Sequence, residues 1–415
     1  MEKEKAETLL VADASQKKIL PDNWTSIPVL LVLLAFIFWL TICGANYPSQ
    51  LLSWMFSQFG NVLEHLFSLL PLPLWIEDCL LNGVYRTVSW VIAVMLPPMA
   101  IFFPLFALLE ECGYLPRVAG RLDNCFKKAG SCGKHCLTTC MSLGCNAAGV
   151  TGCRMIESPR ERLIAIITAS FTPCNGRLPM LIAIVSIFFA RDNSVFAALL
   201  LLLLLLISFT ATLSASKILS CTILKGIPSS FQLDLPPYHK PDIPAVIIHA
   251  LRDRALFVLL RALIIAAPAG CIIWMLSHIT INGQMPIVLL AQLLEPAARP
   301  FGMDGIILLA FLLGWPANEI VIPLMLMLYL STGSMVELES YTALYQILSA
   351  NGWTWQTAVS VLLFTLFHWP CSTTCLTIHK ETGSTGWTLL AIVLPAVIGF
   401  LFCFVLQMFF QLAGV

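Results

Sequence analysis

Charge is scarce in this chain. Asp, Glu, Lys and Arg make up 11% of its 415 residues, where a soluble domain carries about a quarter, and that excludes an ordinary water-soluble fold. The 23 basic and 23 acidic residues cancel, so no net positive field points to a nucleic-acid partner. Catalytic signatures are lacking too. "AGSCGKHC" (Ala129–Cys136) comes nearest to a phosphate-binding loop, but G-x-x-x-x-G-K-[ST] needs Gly where Lys128 stands and Ser or Thr where His135 stands. No zinc-protease or nucleophile-elbow pattern occurs, so the expectation is a non-enzyme with no bound cofactor. No signal-peptide cleavage pattern follows the polar first twenty residues, and residues 1–24 read as a cytoplasmic tail or the stump of a linker.

What the chain has instead is apolar length. Runs that reach spanning length recur at Ile27–Cys43, Val84–Leu109, Val195–Leu213, Leu256–Leu276, Ile306–Leu330 and Trp387–Phe410, against about 20 residues needed to cross a bilayer core. The expected fold class is an all-α polytopic membrane protein. Its few charges are unevenly placed: beyond Ala262 only Arg299 and Lys380 are basic. Basic ends and loops favour the cytoplasm, which puts the N-terminus (Lys3, Lys5, Lys17, Lys18) and the 217–254 segment inside. Most of the fifteen cysteines fall in or beside apolar segments, so they read as small buried hydrophobes rather than as a secreted disulfide scaffold.

Several stretches interrupt the spans. Leu51–Trp75 suits an interfacial segment, and Arg117–Lys134 a short basic cytoplasmic helix or loop. "LPPYHKPDIP" (Leu235–Pro244) cannot be a helix interior. It divides the chain into a first membrane repeat (25–220), a Pro-rich cytoplasmic linker (221–254) and a second repeat (255–415). The halves resemble each other: "SLGCNAAGVTG" (Ser142–Gly152) aligns with "LLGWPANEIVIP" (Leu312–Pro323), and "SFTPCNGRLP" (Ser170–Pro179) with "LFHWPCSTTC" (Leu366–Cys375). Broken apolar segments at matching positions of an internal repeat are the best sequence pointer to a transporter's binding site.

A continuous helix from Leu163 to Ala190 would be roughly 42 Å long, more than the hydrocarbon core of about 30 Å. Pro173, Gly176 and Pro179 supply a break, so the segment is either a hairpin that enters and leaves on one side or a span unwound in its middle. Backbone freed at that depth survives only where protein or a water-filled cavity satisfies it. Arg177 costs about 2.5–3.5 kcal/mol at mid-span on insertion scales and needs a carboxylate or carbonyl partner, Glu319 and Glu110 being candidates, unless it snorkels from a hairpin tip.

Three thiols occupy the interruptions: Cys145 in "GCN", Cys174 in "PCN" and Cys371 in "WPC". Thiolates prefer soft and borderline divalent metals to Mg2+ or Ca2+. With Asn146, Glu319 and backbone carbonyls they would make a mixed sulfur/oxygen site for Fe2+, Co2+ or Zn2+; the alternative is that they only pack. Cys132, Cys136 and Cys140 share one helix face leading to Cys145, either a thiol-lined approach or a packing face. His368 is a candidate ligand, although a histidine bonded to a carbonyl is the commoner outcome. His379, beside Lys380 and Glu381, marks an aqueous boundary, and Glu110 and Glu111 an interface.

These same stretches carry a resemblance. "LLEECGYLPRVAGRLDNCFKKAG", "SLGCNAAGVTGCRMIESPRERLIAIITASFTPCNGRLP", "LPPYHKP", "LLGWPANEIVIPLMLMLY" and "HWPCSTTCLTIHKETGS" closely resemble the membrane domain of the ferrous iron transport protein B (FeoB) family, from about Trp24 to the C-terminus. The resemblance implies two Gate-type repeats, expected to be inverted, in a bacterial inner-membrane importer of Fe2+. It also implies that Cys145, Cys174 and Cys371 are the family's motif cysteines, proposed to bind or conduct the metal. The family normally carries an N-terminal G-protein domain and a helical spacer before its first span; about two dozen residues precede the first span here, so GTP control is expected in trans or not at all. The partners to expect are Fe2+, the bilayer, a G-protein domain or small accessory Feo subunit, and a second copy of the chain. A nucleoside or small-solute carrier of Gate type and a non-transporting scaffold for a GTPase stand as alternatives.

Overall fold

The computed structural model describes residues 26–69, 73–112, 114, 123, 126–190, 194–226, 242–280, 284–330 and 341–414. The N-terminal tail, most of the Arg117–Lys134 stretch and most of Leu235–Pro244 lie outside the described residues. Helix α1 (Ser26–Ser68) runs unbroken through Pro48, so Leu51–Ser68 continues the helix that holds the first apolar run and is not a separate element. Helix α2 (Leu74–Glu111) runs back along α1, with the Tyr85 hydroxyl donating to the Phe56 carbonyl at 2.6 Å and Gly44 opposite Ile101.

Each half then builds one re-entrant hairpin and one broken crossing. In the first half, α3 (Lys134–Gly144) and α4 (Asn146–Gly152) meet at an extended Cys145. Helix α5 (Pro159–Thr168) and α6 (Leu178–Ala190) are separated by an unwound stretch, and the long α7 (Ser194–Cys221) follows. Arg160 Nη2 donates to Ser220 Oγ at 2.5 Å, and Ser208 Oγ to the Phe171 carbonyl at 2.7 Å. The 159–190 segment is therefore paired, end to middle, with an antiparallel full-length helix. Of the two sequence alternatives, it is the span unwound in its middle.

The second half repeats the plan. Helix α8 (Ile243–His278) opens it. Helices α9 (Pro286–Phe301) and α10 (Gly305–Leu313) form a pair bent by 107°, and α11 (Asn318–Leu330) leads away from the α10 tip. Helix α12 (Tyr341–Ala350) precedes the second broken crossing, α13 (Trp355–Phe367) and α14 (Ser372–Thr382), and α15 (Thr385–Leu412) returns along it. Cys403 Sγ donates to the Ser360 carbonyl at 3.4 Å, and the Trp355 and Phe410 rings lie 5.0 Å apart.

The halves are inverted. Arg154, before the first broken crossing begins, pairs with Glu381, where the second ends. At the other extreme Phe188, near the end of the first, stacks on Trp353, just before the second. The crossings therefore run in opposite directions. Helices α2 and α8 do likewise: Trp274, near the end of α8, donates to Asp78, near the start of α2, at 2.8 Å. One face thus collects the start of α1, the end of α7 and the start of α8, together with Lys134, Arg154 and Arg160. The described ends of the 217–254 segment therefore lie on the face where α1 starts.

The hairpins enter from opposite faces. The base of α3 is tied on the basic face by Lys134 to Glu157 at 2.7 Å. The base of the α10–α11 hairpin is tied on the far face by the Tyr329 hydroxyl, which donates to Asp304 and accepts from Trp353 Nε1 at 2.9 Å. Neither α6, α10 nor α11 exceeds 13 residues, roughly 20 Å of helix, so each stops short of a full crossing. Apolar helices this short leave their ends, and the polar backbone there, at mid-depth. Exposed leucine, isoleucine and phenylalanine side chains cover α7, α8 and α15, as expected of helices that face lipid.

Candidate functional site

The four helix breaks meet at the centre. The Asn175 amide donates to the Gly144 carbonyl at 3.3 Å, and the Ser372 amide to the Trp315 carbonyl at 2.9 Å, so each hairpin tip docks on the broken crossing of its own half. Trp315 Nε1 donates to the Pro370 carbonyl at 3.1 Å. In the orientation that satisfies its surroundings, the Asn146 amide nitrogen donates to the carbonyls of Ser142 and Thr172 at 2.9 and 3.0 Å. His368 has Nδ1 3.0 Å from the Thr365 carbonyl and Nε2 3.3 Å from the Asn318 side-chain oxygen, so this histidine is held by oxygen atoms.

Backbone conformation sets the true register of the repeat. Cys145 (φ −156°, ψ 124°) and Ala317 (φ −152°, ψ 122°) are the matching extended residues, each followed by an asparagine that begins a helical turn. Aligning "SLG" with "LLG" by letter sets Cys145 opposite Trp315; the fold sets it opposite Ala317, with Asn146 opposite Asn318. Two extra residues in the second tip account for the difference. The first tip is pressed against α2: a Cβ on Gly144 would lie 1.9 Å from Phe102 Cε1, so only glycine fits there.

Arg177 differs from the carboxylate pairing that was one of its expectations. It is 1% exposed, and its guanidinium donates to four carbonyls: Ser170 at 3.1 Å, Leu366 at 2.9 Å, His368 at 3.0 Å and Trp369 at 3.2 Å. Neither Glu319 nor Glu110 is its partner in an ion pair. The physical reason is local: unwinding the second crossing at 368–371 frees carbonyls at the depth where Arg177 sits, and five donors on a planar fork can collect several of them. Arg177 thus ties the two broken crossings together.

The expected ligands are distributed over the breaks. Cys145 caps α4, Cys371 caps α14, and Cys174 lies in the unwound stretch of the first crossing. Cys145 is within electrostatic range of both Cys174 and Cys371, and those two are within range of Glu319. Glu319 abuts Gly176, where an added Cβ would meet its Oε1 at 2.4 Å. Cys145, Cys174, Cys371 and Glu319 thus lie near one another at the breaks, and Asn146 follows Cys145 at the start of α4. Among the described residues, no three His, Cys, Asp or Glu side chains are arranged as a ready-made metal site.

Other side chains at the centre escaped the sequence reading. Thr374, one turn after Cys371, has Oγ1 3.2 Å from its Sγ, and a hydroxyl at that spacing was the only signal. Ser170 Oγ, Thr172 Oγ1 and Arg177 Nε are buried with no hydrogen-bond partner among the described residues. Cys132, Cys136 and Cys140 are 3–6% exposed, Cys132 in one apolar cluster and the other two in another. On the basic face a cavity of about 220 Å3 is lined by Ala147, Ala148, Arg154, Asp253, Arg261 and Lys380, among others. Its wall reaches residues adjoining Cys145. His379 is exposed at the end of α14, consistent with an aqueous boundary.

Comparison with known proteins bears on this geometry. A family profile described as Gate, nucleoside recognition, matches residues 92–188 and 259–385, more than half of the chain. Each matched segment holds one hairpin tip and one broken crossing. A second profile, for the ferrous iron transport protein B C terminus, matches residues 201–253. The chain belongs to the family described as Gate, nucleoside recognition. It is 27% identical over 397 residues to the Fe(2+) transporter FeoB of Staphylococcus aureus strain MSSA476, covering 94% of this chain and 58% of that relative. Against the Fe(2+) transporter FeoB of Synechocystis it is 27% identical over 360 residues, 86% of this chain and 56% of the relative. Against that of Campylobacter jejuni it is 26% identical over 385 residues, 89% and 61%. The chain thus spans a little over half the length of the FeoB relatives it matches. No solved structure matches it.

Proposed function

We propose that this chain carries Fe2+ into the cell through the meeting point of its four helix breaks, with Cys145, Cys174 and Cys371 as the metal-selecting ligands. Asn146 and Glu319 complete the set with oxygen. The observation that supports the reading is that thiols from three different breaks lie within electrostatic range of one another, with the Glu319 carboxylate in range of two of them. Sulfur donors discriminate against the abundant hard cations, which oxygen donors alone would accept. Because the ligands come from both inverted halves, a shift of one half against the other would close or open the set, as alternating access requires. The basic face would be cytoplasmic by its Lys and Arg excess, in a bacterial inner membrane. Nucleotide control would come from a G-protein domain or accessory subunit acting on that face.

The test is anaerobic Fe2+ uptake into proteoliposomes with Mg2+ in excess. Replacing Cys145, Cys174 or Cys371 by Ser should weaken Fe2+ binding on the order of tenfold or more, that is about 1.4 kcal/mol or more, with the unfolding midpoint little changed. Uptake that survives all three replacements would sink the assignment. The Gate profile's description as nucleoside recognition favours one other reading, a nucleoside carrier. Uptake of labelled uridine, insensitive to the cysteine replacements, would support it.

A further inference from the structure

Helices α2 and α8 cross unusually closely near the face opposite the basic one. A Cβ on Gly270 would lie 2.4 Å from the Gly83 carbonyl oxygen, and one on Gly83 would lie 2.8 Å from the Trp274 Cβ. One turn before Gly83 on α2 stands Cys79, and beside Gly270 on α8 stands Cys271. Their Sγ atoms are 3.3 Å apart. The register that opposes them is pinned from the side: Asp78 accepts from Trp274 Nε1 at 2.8 Å and lies 3.6 Å from His278 Nε2. Cys79 is 6% exposed and Cys271 partly exposed.

We propose that Cys79 and Cys271 are an oxidisable dithiol, a modification site at which a membrane-permeable two-electron hydrogen acceptor of quinone or azo type closes a disulfide between α2 and α8. The proposal stands on this geometry and is independent of the transport reading. A disulfide requires sulfurs about 2.05 Å apart on facing residues, so the two thiols must approach by about 1.3 Å, a distance that side-chain rotation covers when the backbones are already this close. In the step both S–H bonds break and one S–S bond forms. The two sulfurs together give up two electrons and two protons, and the acceptor takes both, a quinone becoming its hydroquinone or an azo compound its hydrazine. Cys271, the more accessible sulfur, meets the acceptor, and Cys79 behind it closes the bond. The product joins α2 of the first half to α8 of the second covalently and fixes their register.

The test is peptide mapping of the whole chain after treatment with diamide, an azo oxidant, followed by alkylation of the remaining thiols. The expected result is two fewer alkylated cysteines, a linked pair of peptides carrying Cys79 and Cys271, and full reversal by dithiothreitol. The unfolding midpoint should rise on oxidation by several degrees in the unsubstituted chain and not in Cys79→Ser or Cys271→Ala. Equal alkylation of Cys79 and Cys271 before and after diamide overturns the proposal, as does linkage of either to a different cysteine. The mapping uses the unsubstituted chain, so it decides the matter even if a variant fails to fold.

Discussion

The two halves have nearly the same backbone and very different chemistry. Each has a re-entrant hairpin whose tip breaks at an extended residue followed by asparagine, and a crossing that unwinds at the same depth. In the first half the tip carries a thiol, Cys145, and the crossing carries Cys174 and a guanidinium, Arg177. In the second the tip carries Ala317 and a carboxylate, Glu319, and the crossing carries Cys371 with Thr374 where alignment on the Pro-Cys pairs sets Arg177. The halves share the geometry, freed backbone around one point, and differ in donors and charge. Arg177 shows what that difference does. Its four carbonyl partners include three from the other half, and a second arginine in the equivalent position would repel it.

That asymmetry can be broken experimentally, and Arg177→Ala should do the most damage. Four carbonyls would lose a donor at about 1–3 kcal/mol for each that stays unsatisfied, a loss of about 4 kcal/mol or more read as a lower unfolding midpoint in detergent. Lysine should not rescue it, because a point ammonium cannot bridge two broken crossings as a planar fork does. A midpoint unchanged in Arg177→Ala would mean the crossings are held together elsewhere.

The paired asparagines give a sharper comparison. Asn146 serves two buried carbonyls, whereas Asn318 meets only the His368 ring among the side-chain contacts recorded for it. Asn146→Ala should cost about 1–3 kcal/mol and Asn318→Ala about 0.5–1.5 kcal/mol. Equal losses by chemical unfolding would show that the tips are energetically equivalent despite their chemistry.

The contact between halves on the basic face should matter less. Arg154 grips Glu381 through Nε and Nη2 at 2.8 and 2.6 Å, but the arginine side chain is 64% exposed. A double-mutant cycle with Arg154→Gln and Glu381→Gln should return about 0.2–1 kcal/mol, smaller at high salt. A coupling that ignores salt would place this pair in a drier setting than its exposure indicates.

The smallest effect separates the hairpin bases. Lys134 donates a hydrogen bond to Glu157 and adds its charge, holding that exposed carboxyl below the ordinary glutamate value. A group with a lowered folded pKa lends stability above its unfolded pKa and loses it as pH falls through the folded one. The midpoints of the unsubstituted chain and Glu157→Gln should therefore converge as pH falls from roughly 7 to 3. A gap that stays constant across that range would show the ion pair contributes nothing.

The sequence by itself determined the membrane class, most of the long apolar helices, the four interruptions, the paired motifs and the thiols within them; Ile306–Leu330, a run of spanning length, folds instead into the α10–α11 hairpin because it breaks at 314–317. Apolar run length and the positions of Pro and Gly are local properties, and in a bilayer they leave few backbone solutions. The structure decided what depends on partners distant along the chain. It inverted the halves through the Arg154–Glu381 and Phe188–Trp353 contacts and chose an unwound span over a hairpin through the antiparallel α7. It gave Arg177 carbonyls in place of a carboxylate and set Cys145 opposite Ala317. It also brought Cys79 to Cys271, 192 residues away. A break says that backbone groups are free; only packing of the other half says what meets them.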